Sequence, residues 1–370
     1  MLLWERRDLM KIQPSTALDE IRQADTRLSR RFVRRTVVNP DLDRTLVSFQ
    51  ANKTENGHRW CKYKEGFSAE LMRYVFRSTG LTAGSILDPF AGSGTAVFAA
   101  NEVGIDAVGI ELLPSSADII RVRELLARAD KQRVSVGIDR FLKKRSWESP
   151  GKSLPFPHVT ITRGAFPAKT EELLGRYLYE AKQIKDDTLS HVLRFGAMCI
   201  LESISFTRKD GQYLRWDSRS GRRVGGRLFN KGPILDFTQA ISAKLTQIAQ
   251  DLAGEGDLFR ALSPRVEEGS VTLLVGSCLE ILPTLGTSSF HGIVTSPPYC
   301  NRYDYTRTYA LELAMLGVDE QGFRDLRQSL LSCTVENREK SGLKDIFDKP
   351  IFDRAIAAFD SQELLVSCHV

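Results

Sequence analysis

The chain has few of the signals that mark secreted, membrane-bound or zinc-binding proteins. Its six cysteines are scattered through 370 residues without a Cys-x-x-Cys pair, so no zinc signature is present and we expect reduced thiols. No apolar run reaches the ~18 residues that span a bilayer, and no apolar segment with a cleavage site opens the chain. These absences predict a cytoplasmic protein with no metal and no membrane contact.

The composition is that of a globular protein with a mild excess of positive charge. Hydrophobic residues make up 42% and charged residues 26% of the chain. Its length of 370 residues is enough for one large or two ordinary domains. The net charge is +6 and the calculated pI is about 9.0. This balance permits a polyanionic partner but does not require one.

A glycine-rich turn between residues 86 and 103 is the first motif that carries chemistry. Residues 86–88 read Ile-Leu-Asp, which predicts the end of a buried strand with a carboxylate at its tip. A turn containing Gly92 and Gly94 then leads into a helix-like run from Thr95 to Val103. Open α/β sheets present nucleotide-like ligands in this way, and glycine lets the backbone approach the ligand closely.

A second acidic residue follows at the spacing expected of a ribose-binding group. Residues 107–110 read as the next parallel strand and end in Glu111, which lies 17 positions after Gly94. The usual spacing is ~20 residues, and a carboxylate can accept both ribose hydroxyls. The alternative is that Glu111 caps the helix that begins near Pro114.

The second motif, Ser296-Pro-Pro-Tyr299, follows residues 293–294, which we expect to finish another buried strand. Two prolines stiffen the backbone and remove two N–H donors, which leaves carbonyl acceptors beside a hydroxyl and an aromatic ring. The Ser296 hydroxyl and the Pro297 carbonyl could accept both hydrogens of a nucleobase amine and free its lone pair, while Tyr299 stacks on the base. A rigid structural turn is the alternative, and Cys300 as a nucleophile is a disfavoured rival.

Together, Asp-Pro-Phe-Ala-Gly-Ser-Gly-Thr95 and Ser296-Pro-Pro-Tyr resemble the motifs of the S-adenosylmethionine-dependent amino-group DNA methyltransferases, which act on cytosine N4 or adenine N6. The resemblance covers roughly residues 57–317. It implies a Rossmann-like α/β fold, S-adenosyl-L-methionine as cofactor and double-stranded DNA as substrate. It assigns cofactor contacts to Phe67, Ser68, Asp88, Phe90, Gly92, Gly94, Thr95, Glu111 and Ser277, and catalysis to Ser296, Pro297, Pro298 and Tyr299.

The serine form of the catalytic motif is most similar to that of cytosine-N4 enzymes. Adenine N6 in DNA and a guanine amine in RNA stay open within the same class. A non-catalytic DNA-binding subunit is the alternative from another class. A bacterial restriction–modification or modification-only system is the expected setting, and a cognate restriction nuclease is the partner expected in the first case.

Two cofactor assignments have their own alternatives. Phe67 and Ser68 match the tenth motif of the family, whose aromatic residue closes over the methionine end of the cofactor; Phe67 could equally be a core residue. Ser68 also suits the N-cap of an amphipathic helix over 69–79. Ser277 stands after the predicted strand 271–275, where related enzymes usually carry an acid, so its hydrogen bond to the adenine is expected to be weaker.

A large insertion separates the two halves of the predicted sheet. Residues 131–268 contain helical candidates at 169–185 and 238–252, an apolar run at 192–204, and a basic segment over 207–231 with interleaved aromatics and glycines. We interpret this segment as a flexible loop that follows DNA phosphates; a solvated basic loop is the alternative. The candidates for nucleic-acid contact are Arg208, Lys209, Arg215, Arg222, Arg223 and Arg302.

The sequence therefore predicts five regions. These are a basic N-terminal arm (1–56), a cofactor-binding half (57–130), an inserted target-recognition region (131–268), a catalytic half (269–317) and a helical tail (318–370). The arm carries five arginines between positions 27 and 35, which suit either a solvated helix or phosphate contacts. Few strand signals follow the catalytic motif, so we expect a truncated sheet or a second polypeptide that completes it.

Overall fold

The computed structural model describes residues 42–64, 66–210, 213–222, 228–254, 268–298 and 304–330, together with scattered positions between 19 and 39. The chain forms two compact units, Met1–Asp43 and Arg44–Val370. In the first unit, the described positions between 19 and 32 are helical, and four of the five clustered arginines, Arg27, Arg30, Arg31 and Arg34, are exposed. Arg35 lies outside the described residues.

The second unit contains six strands and twelve α-helices among its described residues. The strands are β1 Ser85–Asp88, β2 Asp106–Glu111, β3 Thr207–Asp210, β4 Tyr213–Trp216, β5 Val271–Val275 and β6 Gly292–Ile293. The helices are α1 Arg44–Val47, α2 Ala69–Thr79, α3 Thr95–Asn101, α4 Pro114–Arg128, α5 Lys131–Lys144, α6 Ala168–Lys182, α7 Asp187–Ile204, α8 Phe237–Ala253, α9 Cys278–Ile281, α10 Tyr305–Thr308, α11 Ala310–Met315 and α12 Glu320–Ser329.

The central sheet has four parallel strands in the order β5-β2-β1-β6. Because the strands are parallel and in register, the carboxyl ends of all four meet at one edge. Buried Ile86 and Leu87 of β1 and Ile110 of β2 fill its centre, as expected of strands covered on both faces. The sheet confirms the predicted Rossmann-like α/β class.

Local sequence signals explain the helix boundaries. Ser68 is the N-cap of α2 and accepts a hydrogen bond from the Leu71 amide, while Gly80 ends the helix in the left-handed conformation at φ 69°. Aspartates cap α7 and α8, where Asp186 and Asp236 accept backbone amides. These caps satisfy donors that the first helical turn leaves without partners.

The inserted region is helical as predicted, and its helices share one hydrophobic core with the helices beside the sheet. Trp147, Tyr177 and Phe237 are fully buried there, and the Phe141 and Trp147 rings stack with centroids 5.2 Å apart. The Tyr177 hydroxyl donates to the Leu193 carbonyl at 2.7 Å. Within the described residues, no helix combines the length and the apolar character needed to cross a membrane.

The prediction of a flexible basic loop over 207–231 is wrong for the described part of that segment. Strands β3 and β4 form an antiparallel hairpin. The buried Asp217 carboxylate accepts from the Arg219 guanidinium at 2.8 Å and from the Lys231 amide at 2.7 Å. The Lys231 ammonium in turn donates to three backbone carbonyls. The basic side chains therefore stabilise a folded unit that local charge alone did not predict.

The prediction that residues 293–294 finish a buried strand also needs correction. Strand β6 has two residues and Ile293 is 67% exposed. Among the described residues, β6 pairs only with β1 and forms an edge of the sheet. A strand with one neighbour leaves part of its surface open to solvent.

Candidate active site

A cleft opens at the carboxyl ends of the central strands. It is bounded by the glycine turn after β1, the ends of β2 and β5, the loop after β6, and the segment before α2. The lining side chains and backbone include Tyr63, Phe67, Phe90, Gly92, Ser93, Thr95, Glu111, Ser277, Ser296, Pro298, Tyr305 and Leu330. Most of the predicted cofactor and catalytic residues therefore meet in one place.

The turn after β1 requires glycine at two positions. Gly92 has a φ of 55° and Gly94 a φ of 79°, and residues other than glycine rarely adopt this left-handed region. A Cβ at Gly92 would lie 3.0 Å from the Tyr63 hydroxyl, and one at Gly94 would lie 2.9 Å from Ile120 Cγ1. Gly92 lines the cleft, whereas Gly94 packs against the side chains below it, so only the first can approach a ligand.

Glu111 lies at the end of β2 with its carboxylate held between two backbone amides. The Gly92 amide donates to one oxygen at 2.7 Å and the Leu113 amide donates to the other at 2.8 Å. Burial raises the pKa of Glu111 to about 7, against the effect of these amides. Each carboxylate oxygen can accept a further hydrogen bond, so the group still has capacity for two ligand hydroxyls.

Asp88 has a different position from the one predicted. It is 1% exposed and does not line the cleft. Its Oδ1 accepts from the Phe90 amide at 3.0 Å and from the Thr295 hydroxyl at 2.7 Å. Burial raises its pKa to about 6. Asp88 therefore supports the loops around the cleft instead of facing a ligand.

Of the tenth-motif pair, Phe67 lines the cleft and Ser68 does not. The Ser68 hydroxyl is fully buried, where it accepts from the Leu71 amide at 3.0 Å and donates to the Leu46 carbonyl. Its role as N-cap removes it from the set of cofactor contacts. Ser277 does line the cleft, and it also caps α9 by accepting from the Leu279 amide at 3.3 Å.

The catalytic motif reaches the cleft through Ser296 and Pro298. Pro297 between them is exposed. The Val294 amide donates to the Leu87 carbonyl at 3.0 Å, which holds the start of this loop beside β1. Tyr299, Cys300 and Arg302 lie outside the described residues.

Sequence reasoning missed two aromatic residues of the cleft, Tyr63 and Tyr305. The Tyr63 hydroxyl is 3.3 Å from the Ser116 hydroxyl, and its ring stacks on Tyr309 with centroids 5.5 Å apart. Tyr305 begins α10, which the buried Asp304 carboxylate caps. The position of Tyr63, four residues before the predicted cofactor contact Phe67, was the sequence feature that could have indicated its place in the cleft.

The predicted nucleic-acid residues divide into exposed and internal groups. Lys209 is 7% exposed and its ammonium lies 2.6 Å from the Glu312 carboxylate, so it cannot reach a phosphate and leaves the set. Arg215 pairs with Asp210 at 3.0 Å. Arg222 donates to the Thr160 and Ile161 carbonyls. Arg208 is exposed, and Arg223 lies outside the described residues.

Among the residues that the structure describes, Glu55, His58 and Glu102 form a group with the composition of a metal site. The Arg73 guanidinium donates to both of its carboxylates, and Arg123 lies 3.3 Å from the His58 ring nitrogens. Two arginines already neutralise this cluster, which is therefore an ion-pair network beside α2.

Comparisons with known proteins agree with this geometry. The family of N6/N4 methyltransferases described as DNA methylase matches residues 11–121. The type II methyltransferase M.AvaI of Nostoc sp. is 42% identical over 356 residues, which cover 95% of this chain and 71% of that protein, and the same values hold for M.AvaI of Anabaena variabilis. M.BsoBI of Geobacillus stearothermophilus is 38% identical over 346 residues, covering 87% of this chain and 65% of that protein. No solved structure matches.

The cleft suits the methyl donor of this family, S-adenosyl-L-methionine. Glu111 offers a carboxylate with free acceptor capacity, Gly92 offers close backbone approach, and the aromatic rings of Tyr63 and Phe67 offer apolar walls. With the glycine turn and the serine–proline loop at one edge of a parallel sheet, and with relatives matched along nearly the whole chain, the protein belongs to the amino-group DNA methyltransferase family.

Proposed function

We propose that this chain transfers a methyl group from S-adenosyl-L-methionine to the exocyclic amine of a flipped base in double-stranded DNA, with cytosine N4 as the first choice. The main observation in support is that Ser296 and Pro298 line the same cleft as Gly92, Thr95 and Glu111. A methyl donor held by the glycine turn would then face an amine held by the serine–proline loop. The names of the relatives, type II methyltransferases, support the same reaction class.

The side chains around the cofactor would have separate tasks. Glu111 would accept the ribose hydroxyls, Ser277 would contact the adenine side, and Phe67 would cover the methionine end. Thr95 and Phe90 complete the wall between them. When bound, the cofactor supplies an electrophilic methyl group on a sulfonium sulfur.

The residues after β6 would prepare the amine. Its lone pair is delocalised into the base, so the nitrogen is a poor nucleophile until both hydrogens are bound by acceptors. Ser296 and the Pro297 carbonyl would be these acceptors, and Tyr299 would stack on the base, contributing ~1–3 kcal/mol. The nitrogen would then bond to the methyl carbon as the carbon–sulfur bond breaks, and it would release one proton to water. Positioning supplies most of the rate in such a reaction.

We assign target recognition to residues 131–268, because this region places a helical body and the β3–β4 hairpin beside the catalytic half. Of the basic residues predicted to contact DNA, Arg208 is exposed on the hairpin. DNA contacts by Arg223 and Arg302 remain predictions. Phosphate contact by the arginines of the arm 1–56 is a further prediction.

A DNA-binding subunit of a split enzyme is the second candidate. Strand β6 forms an edge of the described sheet and Ile293 is 67% exposed on it, which would suit pairing with a second polypeptide. A cognate restriction nuclease is the partner expected of a type II system.

Identification of the methylated base tests the proposal. The protein is incubated with S-adenosyl-L-methionine and DNA of mixed sequence, and the digested nucleosides are analysed by mass spectrometry. We expect N4-methylcytosine; N6-methyladenine would assign the other target. DNA binding without any methylated base would favour the subunit.

The Ser296→Ala variant should remove the product. Ser289→Ala is the matched control, since Ser289 is exposed before the start of the same strand and its hydroxyl donates to the Gly286 carbonyl at 2.6 Å. Equal loss in both variants would contradict a specific role of the Ser296 hydroxyl.

A further inference from the structure

A side-chain hydrogen bond links the two loops of the cleft beyond the end of the backbone ladder. The ladder between β1 and β6 ends where the Val294 amide donates to the Leu87 carbonyl at 3.0 Å. One residue further along both chains, the Thr295 hydroxyl donates to Asp88 Oδ1 at 2.7 Å. This bond therefore lies directly before Ser296 on one side and at the start of the glycine turn on the other.

A single carboxylate oxygen holds both loops. Asp88 Oδ1 accepts the Thr295 hydroxyl and also the Phe90 amide at 3.0 Å. Asp88 is 1% exposed, so water competes little for this oxygen and the two bonds are stronger than they would be at the surface. A shift of Thr295 would be transmitted through this oxygen to Phe90, which lines the cofactor side of the cleft.

The loop after β6 depends on this bond because its strand is short. Strand β6 has two residues, and among the described strands only β1 pairs with it. Ile293, the last residue of β6, is 67% exposed, so its side chain adds little packing that could hold the strand. Within the described chain, the lateral support of Ser296 therefore comes from the β1 side.

We propose that Thr295 is a positioning residue, whose hydroxyl acts through Asp88 to fix Ser296–Pro298 relative to the glycine turn of residues 88–95. This inference rests on the proposed methyl transfer at the same cleft. Transfer between two bound groups is sensitive to their separation, and a displacement of about 1 Å can cost about 100-fold in rate. Threonine suits the task because its branched Cβ restricts the side-chain rotamer.

Two substitutions of similar size test the hydroxyl. Thr295→Val keeps the shape and removes the donor, whereas Thr295→Ser keeps the donor and removes the methyl group. Thr272→Val on β5 is the matched control, since Thr272 is exposed in the same sheet. For each protein, kcat and KM for DNA are measured, and the Kd of S-adenosylhomocysteine is measured by calorimetry. Hydrogen exchange of peptides covering 86–94 and 292–298 is followed without ligand.

We expect Thr295→Val to lower kcat about tenfold or more, with the Kd of S-adenosylhomocysteine within about twofold of the unmodified protein. Exchange should become faster in the two named peptides and stay unchanged in β2 and β5. Thr295→Ser should restore most of kcat, and Thr272→Val should match the unmodified protein. A kcat of Thr295→Val within twofold of the unmodified value, or equal losses in both Thr295 variants, would overturn the inference.

Failure of the proposed function would be seen separately. If the unmodified protein transfers no methyl group to DNA, that function is refuted, and hydrogen exchange alone decides the role of Thr295. Unchanged exchange of both peptides in Thr295→Val would then refute the link between the loops. Faster exchange confined to them would support it.

Discussion

The cofactor edge of the sheet and the β3–β4 hairpin are both rich in charged groups, but they use these groups in opposite ways. At the edge, Glu111 is held by two backbone amides and still lines the cleft. In the hairpin, Lys209 is directed inward against Glu312 on α11. Glu111, which the sequence placed by its spacing from the glycine turn, faces the cleft, whereas the charges counted over the hairpin segment largely stabilise the fold.

Disruption of the buried ion pair between Lys209 of the hairpin and Glu312 of α11 should give the largest effect. Glu312 is 6% exposed and its Oε2 has no hydrogen-bond partner among the described residues. Although burial opposes it, the Glu312 carboxylate raises the pKa of Lys209. Glu312→Leu would leave the Lys209 ammonium buried and unpaired, so we expect the free energy of unfolding to fall by about 3–5 kcal/mol. Urea denaturation measures this change.

The double variant Lys209→Met with Glu312→Leu is the control, because it removes both charges together. It should recover most of the loss, since an apolar pair of similar volume is tolerated where a single buried charge is not. A loss below about 1 kcal/mol in Glu312→Leu alone would show that the pair is solvated and would restore Lys209 as a candidate for DNA contact.

Glu111→Ala, at the cofactor edge of the sheet, should have the next largest effect. Loss of hydrogen bonds from two ribose hydroxyls to a charged acceptor should weaken S-adenosylhomocysteine binding about 100-fold, as measured by calorimetry, while DNA affinity stays the same. Asp106→Ala, at the opposite end of β2, is the matched control and should leave the Kd within about twofold. Equal weakening of cofactor and DNA binding would contradict the ribose assignment.

Cofactor affinity should also depend on pH through the same carboxylate. Burial raises the pKa of Glu111 to about 7, so the group is increasingly protonated as the pH falls below 7. The ionised form is the better acceptor of ribose hydroxyls. Affinity should therefore be constant well above pH 7 and fall by up to about tenfold per pH unit below it.

Calorimetry from pH 5.5 to 8.5 measures this slope, and Glu111→Gln, which does not titrate, is the control that should abolish it. A slope of the same size in the variant would assign the titration to another group.

Arg208→Ala should give the smallest effect. Arg208 is exposed on β3, and loss of one phosphate contact should weaken DNA binding roughly fivefold and reduce the salt slope by about one. Fluorescence anisotropy at several salt concentrations measures both quantities, with Arg121→Ala on the exposed face of α4 as the control. An unchanged slope would make the hairpin a purely structural element.

The parts of the fold that the sequence predicted are those with local signals. The predicted helix over residues 69–79 has the bounds of α2, because Ser68 caps it and Gly80 ends it. The strands that end in Asp88 and Glu111 were predicted from apolar runs followed by a single acid. Such signals depend on residues that are close in sequence, so they do not require knowledge of contacts that form only in the folded chain.

The parts that the sequence did not predict depend on partners far along the chain. The contact of Asp88 with Thr295 joins residues 207 positions apart, and no local pattern indicates that this acid faces away from the ligand. In the sequence, Lys209 cannot be distinguished from the neighbouring basic residues; only its contact with Glu312 in the folded chain shows that it is buried. Tyr63 reaches the cleft only because the segment before α2 packs over the glycine turn.

A crystal structure of the protein with S-adenosylhomocysteine tests the central claim most directly. The account predicts ribose hydroxyls on Glu111, the sulfur directed towards Ser296 and Pro298, and Asp88 bound to Thr295 without touching the ligand. A ligand outside the cleft, or a sulfur directed away from the serine–proline loop, would contradict it.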